Sequence, residues 1–410
     1  MSTGLLRRLQ LLFIATVLVV AAFSTGISFL FFLVYLVAGL LLASYVYTRY
    51  SLSGLRARFD VLNAQLEVGE ILRTAYRVEN GSRFAKPVVE FSNDANLPTG
   101  LPGRAIGLAA RSTRQWIAKV PMMRRGTFRI GALRIRSGDP FGFFSREMVV
   151  GEPTSVTVFP RVYDLQHWRM PTAAIDGNVA SRQRTESSSP LVNGIRPYVH
   201  GDALNRVHWL SSARHQELLV KEFELEQAAD LWLVLDLDRA AHAGVGLEAS
   251  SEIAISAAAS IALRTLSDNR AVGIAVSARR TQLIQPDRGT RMAQKVLHLL
   301  ANVEADGTRP LAQMILPMLP RLRRGMTICI ITGSTDRAWV RPLAALRRRG
   351  ISSLAVILDR ASFAGRADDQ SRAMIGAVRH ALAEYGVGHH VLHAGDDLAS
   401  VLSSGAPVRV

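Results

Sequence analysis

Residues 9–48 contain no Asp, Glu, Lys or Arg, an uncharged run of 40 positions. That is about twice the ~20 residues a helix needs to cross the hydrocarbon core of a bilayer. The small, turn-prone stretch Ser24-Thr25-Gly26 divides the run, so the pattern predicts a transmembrane helical hairpin within residues 1–50, with spans near 9–23 and 27–47. Arg7 and Arg8 precede the hairpin, and Arg49, Arg56 and Arg58 follow it. The preference of basic flanks for the cytoplasmic side then predicts a multi-pass protein of the cytoplasmic (inner) membrane with its soluble body in the cytoplasm. A cleaved signal peptide over residues 1–22 is the competing reading, and it leaves the second span in place.

Between residues 57 and 160 the apolar period is two. Phe128 and Ile130 alternate with Arg129, and Leu133 and Ile135 with Arg134 and Arg136, the pattern of half-buried strands. Similar short runs at 75–78, 88–91, 116–120 and 156–159 are separated by turn residues such as Asn80-Gly81 and Asp139-Pro140, which predicts a β-sandwich. Its arginine-rich face could meet lipid, a partner or water.

From Leu231 the rhythm changes. An apolar run at 231–237 precedes a helical stretch at about 248–266 and a strand-like run at 272–276. Met292, Val296, Leu299, Leu300 and Val303 recur at helical spacing, and residues 327–332 and 353–358 supply strands around a helix near 340–349. The alternation predicts a mostly parallel sheet covered by helices, an α/β domain over 231–410, with residues 161–230 as the connecting segment. Ligands of such sheets gather at the carboxyl ends of the strands, which points to Asp236, Asp238 and the loop 332–336.

Composition narrows the picture modestly. A chain of 410 residues that is 49% hydrophobic can bury two or three cores, so a single small domain is excluded. A formal net charge of +16 suits anionic lipid headgroups as well as nucleic acid. Arg321, Arg323, Arg324 and the run Arg347-Arg348-Arg349 fall near predicted helix C-termini, where the helix dipole favours cations. No aromatic-interleaved basic motif accompanies them, so a nucleic-acid partner is not expected. The single cysteine, Cys329, lies in an apolar run and reads as a buried core residue.

The connecting segment carries the most specific pattern: Arg196, Tyr198, Gly201 and Asp202, then His208-Trp209, then Ser212-Ala213-Arg214, then Lys221-Glu222. Upstream stand Arg125-Gly126-Thr127-Phe128, Asp139-Pro140-Phe141-Gly142 and Val158-Phe159-Pro160. Together these resemble the signature of the domain of unknown function 58 family, in which a β-region and this segment lead into a von Willebrand factor A-like domain of Rossmann type. Read by their own chemistry, Gly201 permits a tight turn, and Asp202 can accept backbone N–H groups or pair with Arg196 or Arg214. Two roles fit the segment: a structural junction with a buried Arg–Asp network and Trp209 as packing anchor, or a partner-binding surface, for which exposed Trp, Tyr and Arg are the usual residue types. No nucleophile with an orienting group can be assigned to His208.

Active von Willebrand A domains resemble one another in an Asp-x-Ser-x-Ser motif that holds Mg²⁺. The matching positions here read Asp236-Leu237-Asp238-Arg239-Ala240. Asp236 and Asp238 could hold a hard cation with water, whereas Ala240 cannot ligate. His389, His390 and His393 cluster in sequence, but on a strand the first two point to opposite faces.

The resemblance implies a non-enzymatic membrane scaffold or adaptor that mediates protein–protein contact, with a MoxR-type AAA+ ATPase and a transglutaminase-like membrane protein as partners. Two alternatives stay open. One is a metal-dependent hydrolase using Asp202, His208 and the Asp236 and Asp238 carboxylates; the other is an anionic-lipid sensor.

Overall fold

The computed structural model describes residues 3–168, 170, 192–199, 202, 204, 207–223, 230–365 and 368–404. Gly201 lies outside them. The chain divides into two compact units, Met1–Arg161 and Val162–Val410.

The first unit opens with helices α1 (Thr3–Thr25) and α2 (Ser28–Ser51), separated by a turn at Gly26, whose φ of +67° suits glycine. Helix α2 is apolar on all sides, and Phe29, Phe32, Tyr35, Leu36 and Leu42 are exposed, as expected of a helix without a polar face. At 24 residues it is about 36 Å long, enough to cross a bilayer. Helix α1 is different. It takes Arg7 and Arg8 into its first turns, and the apolar stretch Phe13–Thr25 within it is shorter than a span. Among the described residues one helix is long and apolar enough to cross a membrane, and the two-span, multi-pass reading of residues 1–50 is not supported.

Nine strands follow: β1 (Leu55–Val61), β2 (Gln65–Glu67), β3 (Ile71–Asn80), β4 (Lys86–Ala95), β5 (Arg104–Leu108), β6 (Ser112–Pro121), β7 (Gly126–Gly138), β8 (Ser145–Val150) and β9 (Thr154–Phe159). They form a three-stranded sheet, β1-β3-β6, and a second sheet of order β2-β9-β7-β4-β5 with β8 on β7. Tyr76, Val78 and Ala118 of the first sheet pack with Val89, Phe91, Leu133 and Ile135 of the second. The apolar phase changes between Ile130 and Leu133 because a bulge puts an extra β7 residue opposite β4, where Asn93 faces Leu133 and Ala95 faces Ile130.

Helix α2 is joined to this unit by a buried cation. Lys86, 5% exposed, donates from Nζ to the Ser51 carbonyl oxygen at 2.6 Å, a position where the helix dipole favours positive charge. Burial pulls the lysine pKa down. Lys86→Met is expected to loosen the last turn of α2 by about 1–2 kcal/mol, read as faster amide exchange there. Unchanged exchange would show that the bond contributes nothing.

In the second unit, β10 (Val192–Pro197) pairs with β11 (Leu219–Phe223) in an antiparallel ribbon, with α3 (Trp209–His215) between them. The elements β12 (Leu231–Asp236), α4 (Ser250–Ser267), β13 (Val272–Ser277), β14 (Thr281–Asp287), α5 (Gly289–Asn302), α6 (Leu311–Ile315), β15 (Thr327–Thr332), α7 (Arg341–Arg348), β16 (Ser352–Leu358), α8 (Arg360–Phe363), α9 (Asp369–Glu384), β17 (Gly388–Leu392) and α10 (Leu398–Ser403) complete it. The sheet order is β14-β13-β12-β15-β16-β17, parallel except for β14.

Leu231, Leu233 and Leu235 pack on one face of this sheet with Ile255, Ala258 and Ile261 of α4. Trp232, Val234, Ile328 and Ile330 pack on the other with Trp339, Leu343 and Leu382. The same-face alternation within continuously apolar strands marks a sheet buried on both sides. Leu165 and Trp168, inside the segment read as a connector, belong to the first of these cores. The antiparallel strand β14 contains Pro286, and its edge position tolerates the proline. Cys329 is fully buried, its thiol pushed up to about 12 by desolvation.

Candidate functional site

Two places collect the residues singled out by the sequence. The first is the carboxyl edge of the parallel sheet. Asp236 ends β12 and is 1% exposed. Its Oδ2 accepts from Thr332 Oγ1 at 2.7 Å, and its Oδ1 accepts from the Asp238 backbone N–H at 3.0 Å. Thr332 ends β15 and accepts in turn from the Ser334 N–H at 2.9 Å. Ser277 ends β13 opposite Asp236 in parallel register, hence on the same face. Its hydroxyl is buried and has no hydrogen-bond partner among the described residues.

Among the described residues no cation offsets the Asp236 charge, and burial pushes its carboxyl up to about 6, against the lowering effect of the Thr332 and Asp238 bonds. His242 lies behind it, with Nε2 2.7 Å from the Asp236 carbonyl oxygen and Nδ1 3.1 Å from Ser250 Oγ. A carbonyl only accepts, so Nε2 carries the proton and the Ser250 hydroxyl donates to Nδ1. Burial holds the His242 pKa down, which keeps that neutral tautomer.

Asp238 does not aim at Asp236. Its Oδ1 accepts from Ala240 N–H at 3.1 Å, capping the short turn Arg239–Ala241. A backbone bridge ties Asp238 to Gly307, and a Cβ at Gly307 would sit 2.8 Å from the Leu237 carbonyl oxygen. Further along the edge, Asp359 accepts from Ala361 N–H at 3.1 Å and meets His393 Nδ1 at 3.0 Å. The three histidines therefore do not form one ligand set: His389 is buried, His390 faces Trp168 at 5.9 Å between ring centroids, and His393 pairs with Asp359.

The second place is the β10–β11 ribbon. Arg196 clamps Asp202 with two bonds, Nη1–Oδ2 at 2.6 Å and Nη2–Oδ1 at 2.7 Å, the bidentate geometry that makes such pairs specific. Asp202 also accepts from Val199 N–H at 3.0 Å. The choice between Arg196 and Arg214 as partner thus falls to Arg196, and Arg214 is exposed in the last turn of α3. Tyr198 is half-buried, its N–H donating to the Leu218 carbonyl oxygen at 2.7 Å. Lys221 and Glu222 lie on β11 opposite Ile195 and Gly194.

His208 caps α3: its Nδ1 accepts from Ser211 N–H at 3.2 Å. Ser212 Oγ accepts from Leu219 N–H at 2.9 Å and fastens the helix to β11. Trp209 does not act as a packing anchor. It is 65% exposed, as is Leu210, in the first turn of the capped helix α3. Exposed Val199 and Leu204 lie in the same segment.

The chain is 24% identical over 318 residues to the uncharacterized protein YeaD of Bacillus subtilis (strain 168), covering 74% of this chain and 77% of that one. Among solved structures, the CARDB domain of the PF1109 protein from Pyrococcus furiosus aligns at 13% identity over 25% of this chain and 91% of that one, with a TM-score of 0.18. The C-terminal domain of wzt aligns at 13% identity over 27% and 75%, with a TM-score of 0.21. Residues 194–361, which begin in the Arg196 ribbon and run through the Asp236 and Thr332 edge, match the family described as protein of unknown function DUF58, and this match and the YeaD likeness together support that family for the chain.

Proposed function

We propose that this chain is a non-enzymatic membrane-anchored scaffold whose β10–α3–β11 segment receives a protein partner. In this reading the two sheets of the first unit form a β-sandwich platform, and the second unit is a von Willebrand factor A-like domain. Helix α2 holds both at the cytoplasmic face. The partner chemistry expected of the family is a MoxR-type AAA+ ATPase, with a transglutaminase-like membrane protein as companion.

The observation that supports the reading is the exposure of Trp209 and Leu210 on a helix fixed by its own cap. Exposed Trp209 and Leu210, with exposed Val199 and Leu204 and a clamped Arg–Asp pair in the same segment, have the composition of an interface centre. Trp209→Ala is expected to reduce co-purification of the ATPase from gently solubilised native membranes by at least tenfold, about 1.4 kcal/mol or more. Circular dichroism should stay unchanged. Recovery equal to wild type, or no ATPase with either protein, would defeat the docking reading.

A second reading has its own supporting observation: a buried carboxylate without a cation, flanked by Thr332 and by the orphaned Ser277 hydroxyl, suits a hard cation such as Mg²⁺. Asp236 with Thr332 would supply the protein oxygens. Asp238 would have to release Ala240, and Ala240 offers no ligand. The hydrolase alternative gains no comparable support, because Arg196 occupies both Asp202 oxygens and the His208 Nδ1 is taken by the helix cap.

A further inference from the structure

The end of α2 is surrounded by loops that the scaffold reading leaves without a role. After β7 the chain makes a compact turn around Asp139. This carboxylate is buried and accepts from the backbone N–H groups of Phe141 at 3.0 Å, Phe143 at 3.3 Å and Phe144 at 2.6 Å. Those three bonds hold its pKa down against desolvation, so the turn stays ionised and formed at neutral pH. The turn presents Phe141, 59% exposed, stacked on Phe143 with ring centroids 5.8 Å apart.

The turn is fastened to α2. Phe144 meets Tyr45 edge to face at 5.8 Å, and Arg146 donates to the Arg49 carbonyl oxygen at 2.7 Å. Strands β7 and β8 both pack on the helix. Tyr45 stands one helical turn, about 6 Å, on the apolar side of Arg49. The Asp139 turn therefore reaches back along α2 past its first charged residue.

A second loop flanks the same helix end. Gly81 N–H donates to the Gly54 carbonyl oxygen at 2.9 Å, just beyond α2, and Asn80 Nδ2 donates to the Phe84 carbonyl oxygen at 2.9 Å. This loop presents Phe84, 79% exposed, beside exposed Arg83. Tyr45 and Tyr50 on α2 are exposed as well. Aromatic rings and arginines concentrated around the end of an apolar helix are the composition of a bilayer–water boundary.

We propose that the Asp139–Arg146 turn and the Asn80–Phe84 loop are embedded at the headgroup level of the bilayer that α2 crosses. Phe84, Phe141 and Phe143 enter the acyl boundary, while Arg83 and Arg146 meet lipid phosphates. Because Lys86 joins Ser51 to β4, the Asp139 turn is tied to α2 and the Asn80–Phe84 loop to Gly54 just beyond it, these contacts set the orientation of the first unit on the membrane. The proposal rests on α2 crossing the bilayer.

The test uses full-length protein in vesicles of phosphatidylcholine and phosphatidylglycerol, with an environment-sensitive fluorophore on a cysteine introduced at Phe84, Phe141, Leu42 or Leu62. Wild-type protein, whose Cys329 is buried, serves as the labelling blank. Leu42 lies in α2, and Leu62 is exposed just past the far end of β1, about 20 Å along the strand from the helix exit. Shallow spin-labelled lipid is expected to quench the labels at Phe84 and Phe141 at least about threefold more than the label at Leu62, with Leu42 also quenched by lipid. If Leu42 is quenched while Phe84 and Phe141 match Leu62, the loops do not touch lipid and the proposal fails with the anchor intact. It fails in the same way if those labels are shielded from aqueous iodide but not quenched by lipid, which would mean a protein covers them. An unquenched Leu42 would remove the membrane anchor itself, and the proposal with it.

Discussion

Gly333→Ala is expected to destabilise the α/β unit by about 3 kcal/mol or more. Gly333 follows β15, and a Cβ there would overlap the Ala241 carbonyl oxygen, with the Leu358 carbonyl oxygen 3.5 Å away. The obstacle at Ala241 is backbone, so no flexible side chain can yield. The Arg239–Ala241 turn would have to withdraw, pulling on the bond between His242 and the Asp236 carbonyl oxygen. Amide exchange on β12 and β15 in the full-length protein reads the loss directly, since local opening there reports the stability of this unit without requiring one transition for the whole chain. Exchange at the wild-type rate would mean that the close approach of these two loops contributes nothing.

The second large effect concerns pH. The folded Asp236 carboxyl titrates at about 6, against an ordinary 3.8, so the folded state binds this proton more tightly than the unfolded chain does. The stability contributed by that proton is fully present below about pH 4 and is lost as pH rises through about 6. Above that range a buried charge persists without a cation, at a cost of up to about 3 kcal/mol. Asp236→Asn is therefore expected to slow exchange on β12 above pH 6 and to abolish the decline between pH 4 and 6, leaving stability below pH 4 nearly unchanged. A variant that keeps the wild-type pH profile would show that Asp236 is not the titrating group. The same measurement tests the cation reading: millimolar Mg²⁺ should protect wild type above pH 6 and leave Asp236→Asn unaffected. No protection would remove that reading.

These two effects differ in how far the sequence could anticipate them. The strand ending in Asp236 and the loop beginning at Thr332 were legible, because an uninterrupted apolar run followed by polar residues marks a buried strand and its carboxyl end. The Thr332–Asp236 bond joins residues 96 positions apart, and nothing in either local pattern announces it. The partnering of His242 with Ser250 and the approach of Gly333 to Ala241 are equally silent in sequence, since both depend on how loops from different strands cross over the sheet edge.

The Arg196 segment divides in the same way. Its residue types were recognisable, and Asp202 was expected to seek an arginine. Which arginine it found, and whether Trp209 would be buried or exposed, turned on the path of a seven-residue helix and its His208 cap.

By itself, the sequence determined the uncharged N-terminal run, the period-two strands of the first unit, the βα alternation of the second and the burial of Cys329. These follow from side-chain periodicity, which a chain of residues carries locally. The tertiary structure alone decided that Trp209 faces water, that Asp236 is buried without a counter-ion among the described residues, and that the Phe84 and Phe141 loops gather near the end of α2. Each of these depends on contacts between segments distant in sequence, where burial and close approach, not local pattern, set the energy.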